Sequence, residues 1–202
     1  MSKAVAMVLA GGSARRMGGA DKPLLDLGGQ PMIARVIARI GLPDIAINAN
    51  GDPSRFAAFG RPVLDDGPFV GEGPLAGVLV GLDWAVSLGA AALLTVPGDT
   101  PLIPAGLSDA LAPPPACAMS GGQIHHLVAL WPVSCRDALR LLLSAPGRRD
   151  IHRFAATIGM RRVDFPFVKC DPYTNINTPQ ELAAARAILA GQGDGQGTEG
   201  AA

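Results

Sequence analysis

The stretch Leu9-Ala10-Gly11-Gly12-Ser13-Ala14-Arg15-Arg16-Met17-Gly18-Gly19-Ala20-Asp21-Lys22 sets paired glycines beside basic residues. Gly11 and Gly12 let the backbone approach a ligand with no side chain in the way, and successive free N–H groups can cup phosphate oxygens. Arg16 and Lys22 add fixed positive charge where a triphosphate would carry its negative charge. Neither common nucleotide fingerprint is present, because the spacing fits neither G-x-x-x-x-G-K-[ST] nor G-x-G-x-x-G. Asp99, in Pro97-Gly98-Asp99-Thr100-Pro101, follows an apolar run and is the second group with a chemical use. A carboxylate there can hold a magnesium ion that bridges phosphate oxygens, or it can simply form the turn before Thr-Pro. Facing the same crevice as the first loop favours the metal and phosphate role.

Other residues carry two readings each. Asn48 and Asn50 are turn formers that could equally read a base or ribose, and Asp65-Asp66-Gly67-Pro68 shares that ambiguity. For Asp66, guanine offers N1–H and N2–H₂ donors that one carboxylate can accept together. His125-His126 suggests a metal, but neighbours on a strand point to opposite faces, so His126 is better placed to line an acceptor site than to share an ion with His125. Arg148 and Arg149 are either an anion site or exposed surface. Trp84 and Trp131 lie in apolar stretches and are expected in the core. Cys117, Cys135 and Cys170 are odd in number and far apart, which fits reduced thiols packed as small apolar groups better than a disulfide framework or a zinc site.

These groups need a scaffold that brings loop ends together. Nearly continuous apolar runs at Ala4 to Leu9, Ile45 to Asn48, Pro62 to Leu64 and Ala91 to Val96 read as strands of a sheet covered on both faces. Helical spacing between them, at Met32 to Ile40, Ser54 to Phe59 and Leu75 to Leu88, implies right-handed β-α-β crossovers. The expected fold is therefore α/β, a Rossmann-like doubly wound and mostly parallel sheet, in which ligands bind outside the carboxyl ends of the strands. A helix over Pro104 to Leu111 should stop at Pro113-Pro114-Pro115. Further strands are expected at Ala116 to Met119, Leu127 to Trp131 and Arg162 to Phe165, and helices at Cys135 to Leu143, Ile151 to Ile158 and Pro179 to Ala190. One domain over residues 1–190 is expected, its nucleotide-binding part about 1–112 and its acceptor-binding part about 113–190. The Gly-rich residues 191–202 are expected to be disordered.

The chain has 202 residues, with Lys plus Arg and Asp plus Glu balanced at 17 each. No global field favours nucleic acid or an anionic membrane, so an anion site must be built locally. The apolar stretch from Ala4 to Ala10 is too short for a secretory signal, and no run approaches the roughly 18 apolar residues of a membrane span. A soluble cytoplasmic protein is expected.

In order along the chain, this sequence resembles the molybdenum cofactor guanylyltransferases, a branch of the nucleotidyltransferases. The resemblance is carried by the first loop, Leu24-Leu25-Asp26-Leu27-Gly28-Gly29-Gln30-Pro31-Met32-Ile33, Asn48-Ala49-Asn50, Asp65-Asp66, Gly73-Pro74-Leu75-Ala76-Gly77, Pro97-Gly98-Asp99-Thr100-Pro101 and Asn175-Ile176-Asn177-Thr178-Pro179. It implies transfer of GMP from GTP to the terminal phosphate of molybdopterin, with Mg²⁺ as cofactor. Leu9, Ala10, Gly11, Gly12, Lys22, Asn48, Asp66 and Asp99 would then serve GTP, with Asp99 holding the metal. Arg16, Lys22 and Asp99 would carry catalysis, and Asn175 and Asn177 would serve the pterin. Molybdenum-insertion proteins and molybdoenzyme chaperones are the implied protein partners. A cytidylyl or sugar-phosphate nucleotidyltransferase is the nearest enzymatic alternative, and a GTP-binding regulator without turnover is the alternative from another class.

Overall fold

The computed structural model describes residues 3–11, 21–147, 149–167, 170–176 and 178–193. Gly12, Arg16, Arg148 and Asn177 thus lie outside the described residues. Four strands, β1 (Ala4–Leu9), β2 (Ile45–Asn48), β3 (Val63–Leu64) and β4 (Ala92–Pro97), run parallel, in the order β3-β2-β1-β4. Alternation along β1 sends Ala6 and Val8 to one face and Val5, Met7 and Leu9 to the other. The first face packs on Ile33, Val36 and Ile40 of α1 (Met32–Ile40). The second packs on Leu75, Leu79 and Leu82 of α2 (Pro74–Ser87). Burial on both sides is why these strands read as unbroken apolar runs.

The expected elements are present, with differences at their ends. The helical segment read at Ser54 to Phe59 is a 3₁₀ helix, Pro53–Phe59, and the one read from Pro104 is confined to α3 (Leu107–Leu111). The larger difference lies beyond the prolines. β5 (Ala116–Ser120) and β6 (Gln123–Pro132) form a hairpin, and β6 inserts antiparallel between β4 and β5. Gly121 and Gly122, with φ of 51° and 79°, make the two-residue turn. Two consecutive positive-φ residues match the right-handed twist of the strands they join, so Ser120-Gly121-Gly122-Gln123 was a hairpin signal in the sequence. α4 (Arg136–Ser144) and α5 (Ile151–Thr157) precede β7 (Arg161–Asp164), which adds parallel to β5 at the sheet edge. α6 (Pro179–Gly193) runs past the expected end at Ala190; residues 194–202 lie outside the described residues.

Trp131 is fully buried, its indole N–H donating to Thr95 Oγ1 at 2.8 Å, whereas Trp84 is only half-buried at the edge of the core. Cys117 and Cys135 are buried free thiols and Cys170 is partly exposed. Among the described residues no helix is long and apolar enough to cross a membrane.

Candidate active site

The strand register aligns the ends from which the site is built. Leu9 pairs with both Asn48 and Pro97, and Asn48 pairs with Leu64, so the loops after β1, β2, β3 and β4 leave the sheet at one level. The ladder continues one step further through Ala10 N–H to Asn48 O and Gly98 N–H to Leu9 O, both 2.9 Å. Leu9, Ala10, Gly11, Asn48 and Asp66 line a cleft of about 460 Å³ at this edge.

One end of the site is a network of amides and a carboxylate. Asn48 Nδ2 donates to Asp66 Oδ1 at 2.9 Å, Asn50 Nδ2 donates to Asp66 Oδ2 at 2.6 Å, and Asp66 N–H donates back to Asn50 Oδ1 at 3.0 Å. Asp66 is 8% exposed and Asn48 is 4% exposed. The carboxylate is therefore tied first to the two asparagines, and each oxygen keeps one further lone pair for a ligand donor. Asn48 in turn rests on α2. A Cβ on Gly77 would lie 2.2 Å from Asn48 Oδ1 and 2.9 Å from Leu9 Cδ2, so only glycine admits this close approach.

At the other end Lys22 opens a short 3₁₀ turn, and its Nζ lies 2.5 Å from Asp99 Oδ2. The Lys22 residue is 8% exposed, its charge matched by the carboxylate. A Mg²⁺ ion needs only one or two carboxylates when phosphates and water complete its shell. Asp99 has one oxygen on Lys22 and no protein partner among the described residues on the other, which fits such an ion. No cluster of three His, Cys, Asp or Glu able to cage a metal occurs among the described residues.

A second cavity, of about 240 Å³, opens across Pro74, a residue that lines both. Thr100, His125, His126, His152, Tyr173 and Asn175 line it. Its wall is joined to the Asp99 loop, since Ile176 N–H donates to Asp99 O at 3.1 Å. His125 Nε2 lies 2.8 Å from Ser120 Oγ, which donates to Asp171 Oδ1 at 2.7 Å, and the imidazole packs on the Tyr173 ring. His126 instead meets His152 edge-on at 4.4 Å. Burial holds both imidazoles below their ordinary value. Asp171 opposes this at His125, whereas His152 and Arg162 reinforce it at His126, so both are neutral near pH 7. The Tyr173 residue is 2% exposed, and its hydroxyl has no hydrogen-bond partner among the described residues, a buried polar group beside a cavity. Arg149 is paired with Glu72 at 2.7 Å and donates to the carbonyls of Leu143 and Gly147, so it braces the chain before α5.

Sequence reasoning missed Arg55 and Tyr173. Arg55 lines the larger cleft from the 3₁₀ helix after β2, and Asp21, with which it is paired, lines it too. Five residues past Asn50, an arginine had no motif to mark it; only the turn of the helix aims it inward.

The first-loop order and the sheet-end geometry point to one family, and residues 6–161 match the model of the MobA-like NTP transferase domain. The molybdenum cofactor guanylyltransferase of Acidiphilium cryptum is 50% identical over 184 residues, covering 90% of this chain and 93% of that protein. The chain belongs to the molybdenum cofactor guanylyltransferase family. A relative of the same name from Cereibacter sphaeroides is 45% identical over 190 residues, with 91% and 95% covered. The solved structure of molybdopterin-guanine dinucleotide biosynthesis protein A from Archaeoglobus fulgidus superposes with a TM-score of 0.70 at 20% identity, covering 94% of this chain and all of that one, and so shares the fold. The protein is a nucleotidyltransferase with the seven-stranded, mostly parallel sheet of that group.

Proposed function

We propose that the protein transfers GMP from GTP to the terminal phosphate of molybdopterin, giving the guanine dinucleotide cofactor and pyrophosphate. The observation that carries this reading is the cleft that the Asn48–Asp66 network borders where the strands end, with the Lys22–Asp99 pair on the loops that leave the same sheet edge. The amide and carboxylate end suits a base with N–H donors, and the charged end suits the triphosphate. The names and the identity of the relatives support guanine and molybdopterin as the partners.

In the reaction an oxygen of the acceptor phosphate attacks the α-phosphorus in line, a new P–O bond forms, and the α–β bridging bond breaks as pyrophosphate leaves. No general base is required, because the attacking phosphate is already ionised at neutral pH. The protein's work is positioning and charge neutralisation, which suffices for phosphoryl-type transfer. Lys22 faces the phosphates, Arg16 adds charge from the first loop, and Leu9, Ala10, Gly11 and Gly12 present backbone. Asp99 would hold Mg²⁺, whose chemistry is to offset charge on the phosphate oxygens. The second cavity takes the acceptor. Its flat imidazole walls, the Tyr173 hydroxyl and Asn175, with Asn177 close by in sequence, suit a polar heterocycle whose phosphate reaches past Pro74. On this reading residues 1–112 chiefly serve the nucleotide and 113–190 the acceptor. The setting is cytoplasmic, with molybdenum-insertion and molybdoenzyme chaperone proteins as the protein partners.

The test is direct. Purified protein with GTP, Mg²⁺ and molybdopterin should release pyrophosphate and form the dinucleotide, and CTP should serve poorly. Pyrophosphate from CTP in preference to GTP, or none from either, would overturn the assignment.

A further inference from the structure

Arg55 is held more firmly than its chemistry as a surface residue would require. Its Nη2 donates to Asn50 O at 2.6 Å, its Nε donates to Asp52 O at 2.8 Å, and its Nη1 pairs with the Asp21 carboxylate. The guanidinium carbon also lies 5.3 Å from the Phe56 ring centre. Asp21 directly precedes Lys22, which holds Asp99, while Asn50 is the residue whose amide holds Asp66. Contacts therefore run without a break from Asp99 through Lys22, Asp21, Arg55 and Asn50 to Asp66 and Asn48. Asp21, Asn50, Arg55, Asp66 and Asn48 all border the larger cleft.

We propose that Arg55 is a positioning residue for nucleotide use: it ties the exit of the first loop to the base end of the cleft and so sets the spacing between Lys22 and the Asn48–Asp66 network. This rests on the larger cleft being the nucleotide site. A planar, always charged fork suits the task, since it can engage two backbone carbonyls and a carboxylate at once, which a lysine ammonium on a flexible stem does poorly. The Asp21–Arg55 pair is about one-third exposed on each side, so its value is in geometry more than in raw attraction.

Titration calorimetry with GTP and steady-state kinetics on Arg55→Ala, Arg55→Lys, Asp21→Asn and the Arg55→Ala/Asp21→Asn double variant would test this, each checked for native circular dichroism. Arg55→Ala should weaken GTP binding roughly tenfold or more while the KM for the acceptor changes little, and Arg55→Lys should recover only part of the loss. The double variant should be no worse than the poorer single one, since both break one link. The proposal is overturned by multiplicative losses in the double variant, by full rescue with lysine, or by equal damage to both substrates. If the wild type itself fails to bind GTP, the reading of the cleft falls instead, and the same cycle run with the nucleotide it does bind still decides the role of Arg55.

Discussion

Asp99 and Lys22 neutralise each other at 2.5 Å, so each substitution there also changes the other partner. Asp99→Asn keeps the shape of the side chain and removes the charge that would hold Mg²⁺. Turnover should fall by orders of magnitude while circular dichroism stays native, and near-wild-type turnover at limiting Mg²⁺ would remove Asp99 from the metal site. Lys22→Ala should cost about 2–4 kcal/mol in transition-state stabilisation, read as kcat/KM for GTP. An unchanged kcat/KM would place the phosphates elsewhere. The residue types of this pair were legible in the sequence, because a lysine after a glycine-rich loop and an aspartate after an apolar strand have few other shared purposes. Their contact was not, since 77 positions separate them and only adjacency of β1 and β4 joins them.

At the scale of elements, the approach of α2 to the sheet decides what the glycines mean. Gly77 and Gly81 face strand side chains, and a Cβ on Gly81 would lie 2.6 Å from Leu93 Cδ2. Gly77→Ala should therefore destabilise the fold by about 1–3 kcal/mol and also weaken nucleotide binding, as Asn48 is pushed aside. A thermal melt unchanged from wild type would show that α2 can withdraw without cost. Gly11 behaves differently. Its φ is not positive and its nearest neighbour to an added Cβ is Asn48 Oδ1 at 3.5 Å, an ordinary contact. Gly11→Ala should fold normally, so a drop in GTP use relative to CTP would report on base fit, worth about 1–3 kcal/mol by shape exclusion. If the GTP-to-CTP preference of this folded variant matched the wild type, guanine would be selected by other groups, Asp66 and Asn48 first.

For the whole molecule, the two cavities share Pro74 but little else, so their ligands should be separable by mutation. Asn175→Ala should raise the KM for molybdopterin several-fold and leave GTP affinity nearly intact; equal loss of both would make the segment structural. Acid stability follows from the histidines of the second cavity. In the folded protein the values of His125 and His126 lie below the ordinary 6.5, so the unfolded chain binds more protons as pH falls beneath that value. Stability should be flat above about pH 7 and decline below about pH 6.5, and His126→Asn should soften the decline. A melting temperature unchanged between about pH 7.5 and about pH 5.5 would contradict this.

Periodicity and turn residues by themselves determined the parallel half of the sheet and the crossovers, while the reaction class came from the resemblance that the motifs carry in their order along the chain. The fold readings depend on neighbours within a few positions or on a local preference of the backbone: apolar runs buried on both faces and glycines at tight turns. What only the tertiary structure decided depends on pairing across long separations. The antiparallel insertion of β6 beside β4, the tether of Asp66 to two asparagines, and the Arg55 link between Asp21 and Asn50 all belong to that class. A hydrogen bond between side chains 16 residues apart, such as Asn50 to Asp66, leaves no period in the sequence, because its cause is the register of two strands.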